Sequence, residues 1–226
     1  MAYIGYGTRL EWHTAELAAL AAASVIRIPR ERRRPLALDL GCGHGSESLF
    51  LAQLGWSVIG IDVDGAALGA ARKRAKRLRL SRARFQNADA CSYRHPEGAG
   101  QFELVVERLL YVNFFPGSDL ARGLRAKRIA VERKKLLWTA AYALTMGGVF
   151  VMRFGQEEVV ASQRLKIPQQ DRALLERFFV VREAVGFMGL LSPHVSDGVI
   201  SVDAKPMSIV VMQRNAKPCP RWMKIQ

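Results

Sequence analysis

A glycine-rich segment, Gly41-Cys-Gly-His-Gly45, constrains the fold more than any other feature of the chain. The apolar run before it, Leu36–Leu40, is typical of a buried parallel strand. The stretch after it, Ser46–Leu54, is typical of a helix with Ser46 as a candidate N-cap. Glycine permits the tight turn between the two elements and lets a ligand approach the backbone. Because a helix N-terminus directs unpaired N–H groups outward, the segment predicts a ligand-binding loop after the first strand.

An acidic residue, Asp62, closes the second predicted strand, Ser57–Ile61, and lies 21 residues after Gly41. A carboxylate at this place can accept hydrogen bonds from both hydroxyls of a ribose. Enzymes that bind dinucleotides usually carry GxGxxG, whereas the spacing here is GxGxG, and Asp39 precedes the first glycine by two residues. The pattern therefore indicates a ribose-containing ligand and leaves its class to the neighbouring motifs.

Strand and helix patterns alternate along the rest of the chain. Further strands are predicted at Ala83–Gln86, Phe102–Val106, Val149–Met152, Phe179–Phe187 and Met207–Arg214, and helices at Thr14–Ile28, Gly65–Leu80, Lys127–Leu144 and Asp171–Phe178. Gly147-Gly148 is expected to stop the helix before the fifth strand. This alternation predicts an α/β fold: a single doubly wound, mostly parallel seven-stranded sheet with helices on both faces. Because no long helix separates the last two strands, we expect a hairpin at the sheet edge with an antiparallel last strand.

The length of 226 residues fits one domain, 1–226, with an N-terminal helical segment at 1–30, a core at 35–214 and a tail at 215–226. No long apolar run predicts a transmembrane helix, and the N-terminus lacks the pattern of a secretory signal. Cys42, Cys91 and Cys219 have no CxxC spacing, which argues against a disulfide framework or a zinc site and fits a cytoplasmic protein. His, Asp and Glu show no metal-ligand spacing, so no metal is expected.

The formal charge of +14 is a large imbalance. It could indicate a nucleic-acid partner, an acidic substrate or partner, or a generally basic proteome. Basic side chains crowd two stretches, Arg72–Arg84 and Arg122–Lys135. We expect the first to form a solvated helix face and the second to begin nearer the ligand site. Neither stretch has the interleaved aromatic side chains that single-strand binders use for stacking, so charge alone leaves RNA as a candidate partner.

The motifs as a set resemble the class I, Rossmann-like methyltransferases that depend on S-adenosylmethionine (SAM). The matching segments are Leu38–Gly45, Gly60–Asp64, Asn87–Asp89, Phe102–Val106 and Gly147–Phe150. The resemblance extends from about Leu36 to Val151. It implies the α/β fold predicted above, SAM as the methyl donor and S-adenosylhomocysteine as the product.

The resemblance also implies how the glycine loop would meet the cofactor. Gly41 and Gly43 would lie under the methionine portion of SAM, and Cys42, a small residue between them, belongs to the same loop. Asp39 would support the loop or contact the SAM ammonium group. In the simpler alternative, Asp39 merely caps a turn.

The next two loops would bind the nucleoside part of SAM. Asp62 would hold the ribose hydroxyls, with Val63 beside the adenine. Asp89 would accept a hydrogen bond from the adenine amino group, and Ala90 would donate its backbone N–H. Asp64, two residues after Asp62, is an alternative ribose ligand.

In this family the residues after the fourth strand face the methyl acceptor, and here they are Glu107–Asn113. Glu107 would serve as a general base or hold SAM, and Tyr111 is the second catalytic candidate. Arg108 and Asn113 would contact the acceptor. In the simpler alternative, Tyr111 packs in the core and Glu107 pairs with Arg108.

Two other regions often cover the substrate in this family. The N-terminal segment, which often forms a lid, carries His13 as a further candidate base and Trp12 as a candidate acceptor contact. His194 lies in a loop before the last strand and is a candidate acceptor contact as well. Each has a simpler alternative: the N-terminal cluster could staple the first helix to the body, and His194 could be a solvated loop residue.

The acceptor segment lacks the Asn/Asp-Pro-Pro-Tyr/Phe signature of enzymes that methylate exocyclic amines of bases or glutamine. Cys91 follows the third predicted strand, not the fourth, which argues against attack on a pyrimidine ring. We therefore predict methyl transfer from SAM to an N, O or S atom of a small-molecule acceptor, as in metabolite or natural-product tailoring. An RNA or protein methyltransferase using the basic surface and a non-catalytic SAM-binding protein are the alternatives. No membrane partner is expected, and these motifs do not determine the oligomeric state.

Overall fold

The computed structural model describes residues 34–108, 110–111, 114, 126–154, 159–160, 164–165, 169–190, 194–196, 199–201 and 204–217. The segment predicted as an N-terminal lid, 1–30, lies outside the described residues, as does the tail from 218 onward. No helix in the described part of the chain is long and apolar enough to cross a membrane.

A seven-stranded sheet forms the centre of the protein. Its strands are β1 (Leu36–Leu40), β2 (Ser57–Asp62), β3 (Ala83–Asn87), β4 (Phe102–Arg108), β5 (Leu144–Phe154), β8 (Phe179–Leu190) and β11 (Ala204–Arg214). They lie in the order β3-β2-β1-β4-β5-β11-β8. The first five strands in this order are parallel, whereas β11 is antiparallel to both β5 and β8. The predicted fold class is confirmed.

Two short antiparallel pairs stand apart from the sheet. β6 (Val159–Val160) pairs with β7 (Arg164–Leu165), and β9 (His194–Ser196) pairs with β10 (Val199–Ser201). His194, expected in a loop, thus begins a strand of the second pair.

In the described part of the chain, four helices cover the two faces of the sheet. On one face lie α1 (Ser46–Gln53) and α2 (Gly65–Arg77), whose Leu49 and Leu68 are buried in one apolar cluster. On the other face lie α3 (Ala126–Ala143) and α4 (Gln169–Phe178), whose Leu136 and Phe178 are buried in a second cluster. Complete burial of one such side chain stabilises the fold by about 1.5–3 kcal/mol, so the two clusters hold the helices on the sheet.

The passage from α3 to β5 differs from the sequence expectation. Gly147 and Gly148 do not stop the helix, because α3 has already ended at Ala143 and β5 begins at Leu144. Leu144 pairs with Phe102, and the register of β4 against β5 shifts before Leu104 pairs with Val149. Gly147 has a φ of +79°, so the glycine pair allows the irregularity within the strand.

The last two strands of the sheet form the predicted antiparallel pair at the sheet edge. β11 is antiparallel to β5 and to β8, and β8 is the edge strand. Val210, Val211 and Met212 are consecutive buried residues, so both faces of β11 are covered. Burial on both faces is the property of an inner strand, and β11 lies between β5 and β8.

The parallel strands place the functional loops at one edge of the sheet. The carboxyl ends of β1, β2, β3 and β4 meet there, and the loops that follow them carry the predicted cofactor and acceptor residues. Open parallel sheets bind ligands in the crevice outside these ends, so this edge is the candidate site.

Candidate functional site

The glycine loop after β1 is tied to the end of β2. The backbone N–H groups of Gly41 and Cys42 both donate to the carbonyl oxygen of Ile61, at 2.9 Å each. Gly43 has a φ of +49°, and a Cβ added to it would meet nothing within 4 Å. The loop is therefore anchored on one side and open above Gly43, where a ligand could approach the backbone.

The helix after this loop begins without a side-chain cap. Gly45, at a φ of +76°, is the N-cap residue of α1, and Ser46 is the first residue inside the helix. The expected capping by Ser46 is therefore wrong. A Cβ on Gly45 would lie 2.7 Å from Phe85, so glycine is needed for close packing as well as for the turn.

Asp62 is fixed by two backbone donors. Its Oδ2 accepts a hydrogen bond from the Gly43 N–H at 2.8 Å, and its Oδ1 accepts one from the Asp64 N–H at 2.9 Å. Each carboxylate oxygen has a second lone pair, so the half-exposed group can still accept hydroxyl donors. The rival acid, Asp64, caps α2 by accepting from Ala66 and Ala67, which commits its side chain to the helix.

The loop after β3 presents a further carboxylate beside an exposed apolar residue. Asp89 is exposed; its Oδ1 accepts from the Cys91 N–H at 2.8 Å and its Oδ2 from the Ser92 Oγ at 3.1 Å. Val63 is 65% exposed at the neighbouring strand end, while Ala90 is buried. The Asn87 Nδ2 donates to the Val63 carbonyl at 3.0 Å and joins the two loops.

Asp39 lies beneath the site and not in it. It is buried, and its Oδ2 accepts from the Ser48 N–H at 3.0 Å and the Ser48 Oγ at 2.6 Å. Burial and, second, the charge of Glu47 raise the pKa of Asp39 to about 7. The side chain thus joins β1 to α1 and supports the glycine loop from below.

Cys42 is buried within the same loop. Burial, followed by the charges of Asp39 and Asp62, raises the pKa of its thiol far above the ordinary range. The thiol is therefore neutral at physiological pH and packs as a small apolar group.

A partly buried charged pair connects α1 to the end of β4. The Arg108 Nη1 lies 3.0 Å from the Glu47 Oε1. Burial raises the pKa of Glu47, while Arg108 opposes this shift. Arg108 thus pairs with an acid of α1 that the sequence did not indicate.

Glu107 folds back onto its own loop. It is buried, and its Oε2 accepts from the N–H groups of Leu110 at 2.9 Å and Tyr111 at 3.1 Å. The turn that results places Leu110 over the glycine loop, because a Cβ on Gly41 would lie 2.9 Å from the Leu110 Cδ2. Glu107 therefore shapes the loop that faces the acceptor and packs it against the cofactor loop.

Tyr111 is buried in a network that the sequence did not indicate. Its hydroxyl donates to the Asp171 Oδ2 at 2.7 Å, and the Arg133 Nε donates to the same oxygen at 2.7 Å. The Arg133 Nη1 donates to the Phe114 carbonyl at 3.0 Å. Asp171 in α4 and Arg133 in α3 thus hold the loop after β4 from beneath. This placement differs from the catalytic role expected of Tyr111.

Trp12, His13 and Asn113 lie outside the described residues, and the side chain of His194 does too. In the described ranges, no three His, Cys, Asp or Glu side chains group in a way that could hold a metal ion.

The residues at this edge fit SAM. The open space above Gly43 admits a ligand close to the backbone, Asp62 is held by two backbone donors, and Val63 offers an exposed apolar side chain in the loop joined to the loop of Asp89 through Asn87. These groups match the methionine, ribose and adenine portions in the order in which the loops follow one another. Asp62 and Asp89 would hold the nucleoside through charge-assisted hydrogen bonds.

Comparison with known proteins agrees with this arrangement. Residues 37–131 match a family model described as a methyltransferase domain. A structure determined in work on the conversion of a disulfide bond into a thioacetal group during echinomycin biosynthesis is 19% identical, with a TM-score of 0.62 over 90% of this chain and 84% of that one.

Two further structures share the fold. A putative methyltransferase from Bacillus halodurans C-125 is 16% identical, with a TM-score of 0.61 over 90% of this chain and all of that one. Magnesium protoporphyrin IX methyltransferase from Synechocystis PCC 6803, crystallised with SAM, is 18% identical, with a TM-score of 0.58 over 91% of this chain and 79% of that one. Residues 37–131 therefore match a methyltransferase domain, and the chain shares the Rossmann-like fold of these two methyltransferase structures.

Proposed function

We propose that this protein transfers the methyl group of SAM to an N, O or S atom of a small-molecule acceptor. The observation that carries the proposal is the charge at the candidate site. The loops after β2 and β3 place Asp62, Asp64 and Asp89 at the carboxyl edge of the sheet, half-exposed or exposed. An acceptor rich in phosphates would be repelled there, whereas SAM, a cation, and a neutral or cationic small molecule would not.

Two of the structures that share this fold support a small-molecule acceptor. One was determined in work on echinomycin biosynthesis, and another is named for a magnesium porphyrin. Both concern small organic molecules, and the overlap with this chain extends over most of both proteins. Because of this likeness, we propose a small organic acceptor for this chain as well.

In the proposed reaction, SAM supplies a methyl group that its sulfonium already activates. The chain's own residues have to hold the donor and orient the acceptor toward it, because alignment of the two reactants lowers the barrier to transfer. Asp62 and Asp89 bind the nucleoside, and the open backbone at Gly43 receives the methionine portion. Leu110, packed over Gly41, forms part of the wall between cofactor and acceptor.

The loop Glu107–Tyr111 is proposed to position the acceptor. Glu107 is engaged by two backbone N–H groups and Tyr111 by Asp171, so both side chains stabilise the loop from within. An acceptor that must lose a proton would then use a base on another segment. His13 remains the proposed candidate, with Trp12, Asn113 and His194 as proposed acceptor contacts.

A reducing compartment, the cytoplasm, is part of the proposal. Cys42 and Cys91 are both free thiols and buried in the described part of the chain. Persistent free thiols are typical of proteins kept in a reducing environment.

The first experiment is calorimetric titration of the purified protein with S-adenosylhomocysteine. We expect micromolar binding. A folded, ligand-free protein that does not bind would contradict SAM dependence.

The second experiment measures release of S-adenosylhomocysteine from SAM with panels of small amines, phenols and thiols, and in parallel with RNA and with peptides. Turnover with a small molecule and none with RNA or peptides is expected. Turnover with RNA or peptides alone would assign the acceptor to a macromolecule. Binding without turnover in every arm would favour a non-catalytic SAM-binding protein.

A further inference from the structure

A stretch of 24 residues, Gly65–Ala88, contains eight basic residues and no Asp or Glu. The structure places this stretch in α2, in β3 and in the turn between them. Seven of the eight side chains are exposed: Arg72, Lys73, Lys76, Arg77, Arg79, Arg82 and Arg84. We call this set, together with the half-buried Arg74, the α2–β3 basic surface.

A groove of about 590 Å³ lies within the α2–β3 basic surface. Four cationic side chains line it, from Arg72, Lys76, Arg79 and Arg84. The remaining lining residues are small or apolar: Ala75, Leu80, Ser81, Ala83 and Phe85. Several positive charges therefore converge on one concavity with no carboxylate among its walls.

Three of the arginines are held in place by neutral partners. The Arg72 Nη2 donates to the Phe85 carbonyl at 2.9 Å, the Arg74 Nη1 to the His44 carbonyl at 2.8 Å, and the Arg82 Nη1 to the Gly55 carbonyl at 2.7 Å. A carbonyl orients a guanidinium group without cancelling its charge, so these side chains are both ordered and positive. Each still has further N–H groups for an anion.

The other five cations have no hydrogen bond or ion pair with any residue that the structure describes. They are Lys73, Lys76, Arg77, Arg79 and Arg84. Arg72 and Lys76, like Lys73 and Arg77, stand four positions apart on α2, where like charges destabilise a helix. The helix therefore carries more positive charge than its own stability requires.

The turn after α2 contains a backbone conformation that also reduces stability. Arg79 has a φ of +56°, at the position after a helix where glycine is favoured. The Leu80 N–H donates to the Ala75 carbonyl at 2.9 Å, and the Arg79 N–H donates to that of Lys76 at 3.1 Å, which closes the helix end. The strained position carries a cation that lines the groove.

We propose that the α2–β3 basic surface binds the phosphate backbone of a nucleic acid. The cations extend beyond the groove to Lys73, Arg77 and Arg82, so the surface is broader than one small anion needs. A protein partner would be expected to meet exposed apolar anchors. The exposed large apolar residues in the described part of the chain are Leu54, Val63, Met146, Val180 and Val181, and none lines the groove.

This surface extends from the amino end of β2 to the glycine loop. Arg82 contacts Gly55, which precedes β2, while Arg74 contacts the carbonyl of His44 in the glycine loop. The acids proposed to bind SAM, Asp62 and Asp89, are not part of the surface. The inference is independent of the proposed acceptor, and contacts to phosphates alone should show little sequence preference.

The test measures fluorescence anisotropy of labelled 20-nucleotide RNA and DNA with the full chain, over a range of salt concentrations. The test variant changes Lys73, Lys76, Arg79 and Arg84 to Gln. The control variant changes four exposed cations near the opposite edge of the sheet, Arg172, Arg177, Arg182 and Lys217, to Gln, and so has the same net charge.

We expect wild type to bind both nucleic acids at about 50 mM salt. The test variant should bind about ten-fold or more weakly, and its salt slope should fall by up to about 3, because single strands contribute about 0.7 per phosphate contact. The control variant should stay within about two-fold of wild type. Equal losses in both variants would mean attraction by net charge alone and would overturn the proposal. So would failure of wild type to bind, or competition by polyglutamate as effective as that by RNA.

A measurement on the unaltered protein guards against misfolding of the test variant. Lysine acetylation with and without RNA, read by mass spectrometry, should show protection of Lys73 and Lys76, with Lys127 and Lys217 as exposed references. Protection of the references and not of Lys73 and Lys76 would overturn the assignment. S-adenosylhomocysteine binding by the test variant reports separately on the SAM site.

Discussion

The hydroxyl of Tyr111 donates a 2.7 Å hydrogen bond to the carboxylate of Asp171, a residue 60 positions later in the chain. Both residues are buried, and Arg133 donates to the same carboxylate oxygen. The pair connects the loop after β4, which faces the proposed acceptor, to α4 on one face of the sheet. A buried charged network of this kind is costly to break on one side, because the remaining charge loses its partner.

Removing the Asp171 carboxylate should destabilise the protein severely. Asp171→Ala leaves Arg133 buried without its counter-ion, and we expect a loss of about 3–5 kcal/mol in the free energy of unfolding. Tyr111→Phe, which removes one hydrogen bond to a charged group, should cost about 1.5–3 kcal/mol. Urea denaturation measures both. An exposed residue of the same helix supplies the control, since Glu176→Gln should change stability by less than about 0.5 kcal/mol. Similar stability of all three variants would show that this network does not stabilise the fold.

Asp62 and Asp64 should separate in a binding experiment. Asp62→Asn removes the negative charge proposed to hold the ribose, and the affinity for S-adenosylhomocysteine should fall about ten-fold or more, since such a bond contributes roughly 1.5–3 kcal/mol. Asp64→Asn keeps a good helix cap and should leave affinity within about two-fold. Calorimetric titration of both variants decides the matter. Equal effects, or none, would reject Asp62 as the ribose ligand.

Two glycines at the site should respond differently to alanine. At Gly43 the added methyl group meets open space, so Gly43→Ala should cost about 1–2 kcal/mol of stability for its left-handed backbone and should mainly weaken S-adenosylhomocysteine binding. At Gly60 it would lie 2.7 Å from the Ser48 Oγ and 2.9 Å from the Cys42 Sγ, so Gly60→Ala should cost about 1–3 kcal/mol through overpacking. Thermal unfolding and titration give the two readouts. A Gly43 variant with unchanged affinity would place the ligand elsewhere.

The stability of the protein should depend on pH through Asp39. Burial raises its pKa from 3.8 to about 7 in the folded state, so the folded state holds a proton that the unfolded chain has released. The favourable contribution is complete below the unfolded pKa and is lost as the pH rises through about 7, at no more than about 1.4 kcal/mol per pH unit. Glu47, whose pKa burial also raises, acts in the same direction.

Asp39→Asn tests this dependence. The variant cannot ionise at this position but can still accept from Ser48, so its unfolding free energy should fall less than that of wild type between pH 5 and pH 8. Urea denaturation at several pH values supplies the comparison. Parallel curves for the two proteins would mean that Asp39 stays ionised throughout the range.

Arg79→Gly should stabilise the fold while weakening nucleic-acid binding. Glycine adopts the φ of +56° without strain, so we expect a gain of about 1 kcal/mol, as measured by thermal unfolding. The same change removes one cation from the groove and should lower the salt slope by about 0.7–0.9. Leu78→Gly, at the preceding position with ordinary helical backbone, should destabilise instead. A less stable Arg79→Gly variant would show that the arginine side chain itself supports the turn.

Local pattern was sufficient to predict most of the fold. The apolar run Leu36–Leu40 and the glycines after it predict a strand and a turn from neighbouring residues alone, and the structure has both. Asp62 could be predicted as a site residue because the carboxyl ends of parallel strands lie at one edge of the sheet. A residue that ends such a strand therefore lies at that edge. The antiparallel pair at the sheet edge was also predicted, but which of its two strands lies inside was not, because both arrangements have the same local pattern.

What the sequence by itself determined is thus the alternation of elements and the acids that close them, since both depend on contacts within a few residues. Tertiary structure alone decided the partners of the charged groups. Arg108 at the end of β4 pairs with Glu47 of α1, Asp39 of β1 accepts from Ser48 of α1, and Tyr111 in the loop after β4 donates to Asp171 of α4. The sequence left Asp64 as an alternative to Asp62, and only the start of α2 assigned the Asp64 side chain to the helix. These pairings depend on how the helices pack on the sheet. Partners separated by tens of residues produce no periodic pattern in the sequence, so they cannot be predicted from it.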